Sequence, residues 1–326
     1  MDRPPPPLPL GLAGYARRVL IVAGPTGSGK SDLALEAAAA FDGVVINADS
    51  AQVYRELRVL TARPSPDDEA RVPHRLYGEL SATERCSAGR WLAMARAAID
   101  EVRAEGRLPI VVGGTGLYLK ALTEGLAPVP AIPAEVRVEA AALWAELGGD
   151  GFRAKLAARD PEAAARWPAS DRQRLQRAWE VVRATGRPLA EWQRAGTAPI
   201  AGQFATLVLL PPRETLYPAL DARFLRMLEA GALEEVRELL AMRLDPSLPA
   251  MKAVGVRELA AHITGEQTLE TAKAATQQAT RRFAKRQMTW LRHQVRADIV
   301  LNEQYSERIR PKIFAFIRRG LLTGST

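Results

Sequence analysis

The chain has 326 residues, 47% hydrophobic and 25% charged, the balance of a globular protein with room for one large or two ordinary domains. No run of about 18 apolar residues occurs and the Pro-rich start MDRPPPPLPLGLAGYARR lacks the apolar core of a secretory signal, so the expected address is the cytoplasm, with no membrane partner. One cysteine, Cys86, excludes an intrachain disulfide, three scattered histidines (His74, His262, His293) do not make a zinc site, and the net charge of +8 suits a polyanionic partner or an arginine-rich coding bias equally.

Residues 1–17 read as a flexible, Pro-rich tail. VLIVAG (19–24) is a short β-branched run ending at glycine, a buried strand that feeds the loop and helix of SGKSDLALEAAAAF. VVINAD (44–49) and LPIVVGG (108–114) repeat the strand signature, with an amphipathic helix near Ala88–Glu105 between them. Strands alternating with helices imply a parallel sheet covered on both faces. APVPAIP (127–133) is a proline-rich joint, after which 134–194 show helical periodicity and no strand. Trp144, Trp167, Trp179 and Trp192 fall in that segment at helical spacing and read as core residues. FATLVLL (204–210) resumes the strand pattern; a helical region over 213–293, a short strand DIVLN (298–302) and a terminal helix follow. The expected organisation is an α/β core over 18–127 and 201–326, split by a helical insertion over 128–200. Two basic groups stand out, RRFAKRQMTWLRHQVR from Arg281 and a second set from Arg308 to Arg319; the plain reading of each is a solvated helix face.

The strongest motif is GPTGSGKS (24–31), which satisfies G-x-x-x-x-G-K-[ST] between a strand and a helix. Gly27 and Gly29 let backbone amides turn inward around phosphate oxygens, and the helix starting near Lys30 aims its positive dipole end at them. Lys30 adds a point charge, and the Ser31 hydroxyl is placed to ligate Mg²⁺. Such a cradle serves kinases, NTPases and diphosphate-releasing transferases alike. NADSAQVY (47–54) and GGTGLY (113–118) fall at the carboxyl ends of two further strands, where an open parallel sheet binds ligand. From the residues alone, Asp49 is a proton-accepting base, a distant metal ligand or a turn residue.

GPTGSGKS, NADSAQVY, PHRL (73–76) and VVGGTGLYLKAL, in that order, resemble the bacterial tRNA dimethylallyltransferases, also called tRNA isopentenyltransferases. The likeness continues through SDRQRLQRAWEV (170–181), KAVGVREL (252–259) and ATRRFAKRQMTWLR (279–292), spanning about residues 19–294. It implies a P-loop NTPase-like α/β fold with an all-helical insertion that contacts tRNA. It also implies transfer of a dimethylallyl group from dimethylallyl diphosphate to N6 of the adenine 3′ to the anticodon (position 37), in tRNAs reading codons that begin with U, with Mg²⁺. The expected partner is the tRNA anticodon stem-loop, and the expected state a monomer. The resemblance assigns Asp49 as general base, with Lys30 and Thr26 beside it in catalysis. The diphosphate falls to Gly24, Pro25, Thr26, Gly27, Ser28, Gly29, Lys30, Ser31 and Arg223, with Thr26 and Ser28 as hydroxyl donors and Ser31 on the metal. tRNA contacts fall to Asp49, Ser50, Ala51, Gln52, Thr115 and Arg137, to Gln173, Arg174, Leu175, Gln176 and Arg177, and to Lys252, Ala253, Val254, Gly255, Val256 and Arg257.

Three departures stand against the family pattern. Leu60 and Arg63 replace a glycine and a lysine in RELRVLTARP (55–64), which puts that loop's backbone and any Thr61 contact in question; Ala219 replaces an arginine four residues before Arg223; and RLYGEL after His74 replaces an acidic continuation, leaving His74 a structural role. The competing readings are a P-loop small-molecule or nucleoside kinase and an RNA-binding protein with a vestigial loop. Intact Gly29, Lys30, Ser31 and Asp49 argue against the latter.

Overall fold

The computed structural model describes residues 18–196 and 199–322, so the tail expected over 1–17 lies outside the described residues. Six parallel strands, β1 (Arg18–Ala23), β2 (Gly43–Asn47), β3 (His74–Arg75), β4 (Leu108–Gly113), β5 (Gln203–Leu209) and β6 (Ile299–Leu301), form one sheet in the order β3-β2-β4-β1-β5-β6. The two-residue strand β3 has no counterpart in the sequence reading, because a run that short carries no alternation.

β1, β2 and β4 read as continuous apolar runs because helices cover the sheet on both sides. Leu20 and Val22 of β1, Ile110 and Val112 of β4 and Leu207 and Leu209 of β5 meet Leu33, Ala37 and Phe41 of the helix Lys30–Ala40 and its C-cap. The terminal helix Arg310–Leu322 packs into the same cluster through Ile313, Phe314 and Ile317. The helix Ala88–Ala104, capped by the Ser87 side chain, packs on β2 and β4 and buries Trp91, Ala95, Ile99 and Val102.

The chain divides into two compact units, one of residues 1–123 with 201–326, the other Glu124–Ile200. The second is all helical, with helices Ala134–Ala157, Pro161–Arg166, Arg172–Thr185 and Leu189–Ala195. Its core gathers Ala140, Leu143, Phe152, Leu156, Leu175 and Trp179, with Trp144 and Trp167 against the edge. Trp192 stands apart from that cluster: its indole N–H donates to Thr185 Oγ1 at 3.2 Å and the Arg187 guanidinium lies 4.5 Å from its ring.

Candidate active site

Register decides which loops meet. Ala23 pairs with Gly113 and Asn47 with Val112, so β1, β2 and β4 end level and deliver residues 24–31, 48–54 and 114–118 to one edge of the sheet. In the first of these loops Gly27 (φ 79°) and Gly29 (φ 80°) are left-handed, a conformation that costs glycine nothing and other residues about 1 kcal/mol. Gly29 caps the helix beginning at Lys30. Lys30 Nζ donates to the Pro25 carbonyl at 3.3 Å. Burial lowers its pKa to about 8 against the pull of Asp49, so the ammonium is poised for an anionic partner. Arg223 donates to Thr26 Oγ1, and its own burial pushes its pKa down in the same way. Thr26, Gly29, Lys30, Ser31, Asp49 and Arg223 line one cavity of about 360 Å³.

Asp49 is held by its backbone and left open at its tip. Fully buried Asn47 donates from Nδ2 to the carbonyls of Asp49 and Leu76, both at 3.0 Å, and accepts the Asp49 amide on Oδ1 at 2.8 Å. The Ala51 amide donates to Asp49 Oδ1 at 2.9 Å, while Oδ2 has no hydrogen-bond donor among the described residues. Trp91 fixes this turn from below, donating to the Asn47 carbonyl at 2.9 Å with its ring stacked on Tyr118 at 4.3 Å. One carboxylate oxygen is thereby oriented and the other is open to the cavity.

The GGTG of 113–116 owes its glycines to packing. A Cβ on Gly113 would lie 2.1 Å from the Ala48 carbonyl oxygen, one on Gly114 2.2 Å from Gln287 Nε2, and one on Gly116 1.9 Å from Trp290 Cδ1. Thr115 Oγ1 accepts the Ser50 amide at 3.0 Å and donates to Ser50 Oγ at 3.3 Å, so these two expected RNA-contact residues are coupled.

Several residues that shape the site were given no role by the sequence. Gln287, buried on the long helix Leu269–Gln294, accepts the Thr26 amide at 2.9 Å and donates to the Gly114 carbonyl at 3.1 Å, tying the phosphate loop to the end of β4. The basic stretch around it is therefore exposed on one side only, since Ala284, Gln287, Met288 and Leu291 face inward. Glu235 accepts the amides of Arg58, Val59 and Leu60 at 2.6, 2.7 and 2.9 Å, fixing the loop that carries Thr61. Gln304 and Tyr305, past the end of the resemblance, donate to the loop carbonyls of Gly27 and Ser28.

The departures from the family pattern have structural answers. Leu60 is not among the positive-φ residues and is buried, 3.0 Å from where a Gly255 Cβ would stand, so leucine fits the loop. Thr61 lines the cavity and donates its hydroxyl to the Leu57 carbonyl at 2.6 Å. Arg63 and the RLYGEL segment meet: a Cβ on Gly78 (φ 62°) would fall within 2.5 Å of the Arg63 guanidinium carbon. Ala219 shares the cavity wall with Arg223 and Arg226. His74 lines it too, its Nδ1 bonded to the Val72 carbonyl oxygen at 2.9 Å, and burial lowers its pKa, favouring the neutral ring.

Several of the expected contact residues are buried. Ser28 is fully buried, and its hydroxyl, 2.5 Å from where a Gly24 Cβ would be, has no hydrogen-bond partner among the described residues. Leu175 is fully buried in the helical unit's core, and Val256 is 1% exposed at the wall of a second cavity. Gly24 and Pro25 are also buried.

Of the other expected RNA contacts, Gln52 bridges the carbonyls of Thr61 and Ala62 at 2.9 and 3.0 Å and lines the cavity. Arg137, Gln173 and Arg174 are exposed on the helical unit, where Arg174 pairs with Asp171 and Arg177 with Glu180, and Gln176 donates to the Ala140 carbonyl. Lys252, Ala253, Val254 and Arg257 line this second cavity, of about 680 Å³, together with Arg282 and Arg286.

Residues 52–294 match the model of a family described as IPP transferase. A tRNA dimethylallyltransferase of Rhodospirillum centenum is 60% identical over 283 residues, 86% of this chain and 90% of that one. The enzyme of the same name from Rhodospirillum rubrum is 54% identical over 98% of this chain and 99% of its own. The crystal structure of the full-length tRNA isopentenylpyrophosphate transferase of Bacillus halodurans superposes with a TM-score of 0.68 at 29% identity, covering 94% of this chain and 97% of that one. A eukaryotic dimethylallyltransferase acting on tRNA gives 0.73 at 28% identity over 84% of this chain and 70% of its own. The match over three quarters of the sequence and the high identity across nearly its whole length make the chain a member of the IPP transferase family.

Proposed function

We propose that this protein is a tRNA dimethylallyltransferase that moves the dimethylallyl group of dimethylallyl diphosphate onto N6 of adenine 37, the base 3′ to the anticodon, in tRNAs reading codons that begin with U. The observation that carries this is one cavity with two chemically opposite walls. The phosphate loop, Lys30 and the Arg223–Thr26 pair form a cationic wall for a leaving diphosphate, and Asp49 faces them with an open carboxylate oxygen. The names of the relatives support the same reaction, and none of those reported is a kinase.

The exocyclic amine is a weak nucleophile because its lone pair is delocalised into the ring. In the reaction the bond between C1 of the dimethylallyl group and the diphosphate oxygen breaks, the electron pair leaves with the diphosphate, and a bond forms between C1 and N6. Asp49 takes the N6 proton on Oδ2, and the loop amides, Lys30 and Arg223 hold the charge that grows on the leaving group. The residues present fit Mg²⁺. The wall offers the hard oxygens of Ser31 and Asp49, and the described residues form no cluster of three or more His, Cys, Asp or Glu side chains. Ser31 would hold it, and when bound it supplies further positive charge to the diphosphate.

The adenine must leave its stack to reach Asp49. Arg137, the 173–177 helix turn and the basic cavity around Lys252 and Arg257 suit phosphate contacts that set register on the anticodon stem-loop. The enzyme works as a cytoplasmic monomer in this reading; among the described residues no helix is long and apolar enough to cross a membrane. The test is to incubate the protein with labelled dimethylallyl diphosphate, Mg²⁺ and an anticodon stem-loop containing three successive adenines. Label is expected in the RNA. Phosphate transfer from ATP to a small acceptor, with no label in RNA, overturns the assignment.

A further inference from the structure

β6 pairs with β5 in register from Ile299 to Leu301 and so brings the segment that follows it beside the phosphate loop. Gln304 Nε2 donates to the Gly27 carbonyl at 2.6 Å, and the Tyr305 amide donates to the Ser28 carbonyl at 3.0 Å. The fit is close enough that a Cβ on Gly29 would stand 2.7 Å from Tyr305 Cβ and 3.2 Å from its amide nitrogen. Tyr305 is anchored in turn: its hydroxyl donates to Glu36 Oε2 at 2.9 Å, and Arg310 Nε reaches the same oxygen at 2.9 Å. Glu36 belongs to the helix that the loop opens, so the segment is bound both to the loop, at Ser28, and to the helix, at Glu36. Gln304 also reaches the cavity wall itself.

A peptide unit is planar and trans, so its carbonyl and amide point in opposite directions. Holding the Ser28 carbonyl on Tyr305 turns the Gly29 amide away from that segment, and holding the Gly27 carbonyl does the same for the Ser28 amide, which caps the loop internally on the Pro25 carbonyl at 3.2 Å. A left-handed Gly29 has wide conformational freedom of its own, and the outer bonds remove it before any ligand arrives.

We propose that Gln304 and Tyr305 are positioning residues of the diphosphate site, clasping the phosphate loop from outside so that its turn is braced and its Gly29 amide is set before the substrate binds. The assignment rests on the loop being the diphosphate cradle. It adds to that cradle a piece of the chain beyond residue 294, where the family match ends.

The test measures binding of inorganic diphosphate by calorimetry to the full chain and to its Gln304→Ala and Gln304→Met variants, beside KM for the RNA and the melting temperature. Gln304→Ala is expected to weaken diphosphate about three- to tenfold, the value of one lost hydrogen bond, with KM for RNA unchanged. Gln304→Met keeps the length and neutrality of the side chain but removes the donor to the Gly27 carbonyl and is expected to weaken diphosphate as much as alanine does; a merely space-filling side chain would tolerate it. Unchanged diphosphate affinity in both variants overturns the clasp alone. Absence of diphosphate binding by the unmodified protein overturns the cradle and the clasp together. Should the Gln304 variants not fold, Tyr305→Phe, which removes only the bond to Glu36, is expected to weaken diphosphate by a smaller factor, and equal affinity there rejects the proposal.

Discussion

At the scale of single residues, the site is defined by one carboxylate and one ammonium with different liabilities. Asp49 has its backbone pinned by buried Asn47 and its Oδ1 occupied, so its substitution should leave the fold and the RNA surface intact. Asp49→Ala is expected to lower kcat by about 10²-fold or more with nearly unchanged RNA affinity, the size of a lost general base; single-turnover rates beside filter binding check it, and an unchanged kcat removes Asp49 from the mechanism. Lys30 titrates near pH 8 because burial outweighs the attraction of Asp49. Its protonated form binds the anion, so diphosphate affinity is retained below pH 8 and falls above it, by about tenfold between pH 7 and 9. Calorimetry across that range measures this, and Lys30→Arg, which stays charged, should flatten the profile. The same depression has a stability sign. The unfolded chain holds the Lys30 proton between pH 8 and its ordinary value near 10.5, so the ligand-free protein gains stability as pH rises through that window.

Among elements, the contact of the long helix Leu269–Gln294 with the turn after β4 matters most. Gln287 and Trp290 occupy the space that Gly114 and Gly116 leave, and Gln287 then holds the phosphate loop through Thr26. Glycine in GGTG is thus required by a helix arriving from far along the chain. Gly116→Ala is expected to cost about 1–3 kcal/mol, because its methyl group would overlap the Trp290 ring. Urea denaturation checks it, with the midpoint lowered and the slope unchanged. Trp290→Leu in the same background should restore part of the loss, as expected for two residues in contact.

For the whole molecule, the sheet domain holds the cavity and the inserted helices have a core of their own around Phe152, Leu156 and Trp179. Replacing Glu124–Ile200 with a short Gly/Ser linker is expected to keep inorganic diphosphate binding within about twofold, since the loop, Lys30 and Arg223 all lie outside the insertion. RNA affinity should fall at least about tenfold, and the dependence of binding on salt should become shallower as phosphate contacts are lost. Calorimetry and filter binding at several salt concentrations read the two effects separately. Equal RNA affinity would exclude Arg137 and the 173–177 turn as contacts.

The features legible in the sequence share one property: their physics is local. The apolar runs of β1, β2, β4 and β5, the glycine loop ending in Lys30 and Ser31, and Asp49 just past the end of a strand are set by neighbours a few residues away, and each leaves a period or a motif. Tertiary structure decided what has no local pattern. Gln287 meets Thr26 across 261 positions, Glu235 holds Val59 across 176, and Gln304 holds Gly27 across 277. It also buried the Ser28 hydroxyl within the loop, which the motif does not show. Side-chain amides and carboxylates of this kind find unpaired backbone groups wherever the folded chain brings them, and that pairing exists only once the sheet has set which loops lie together.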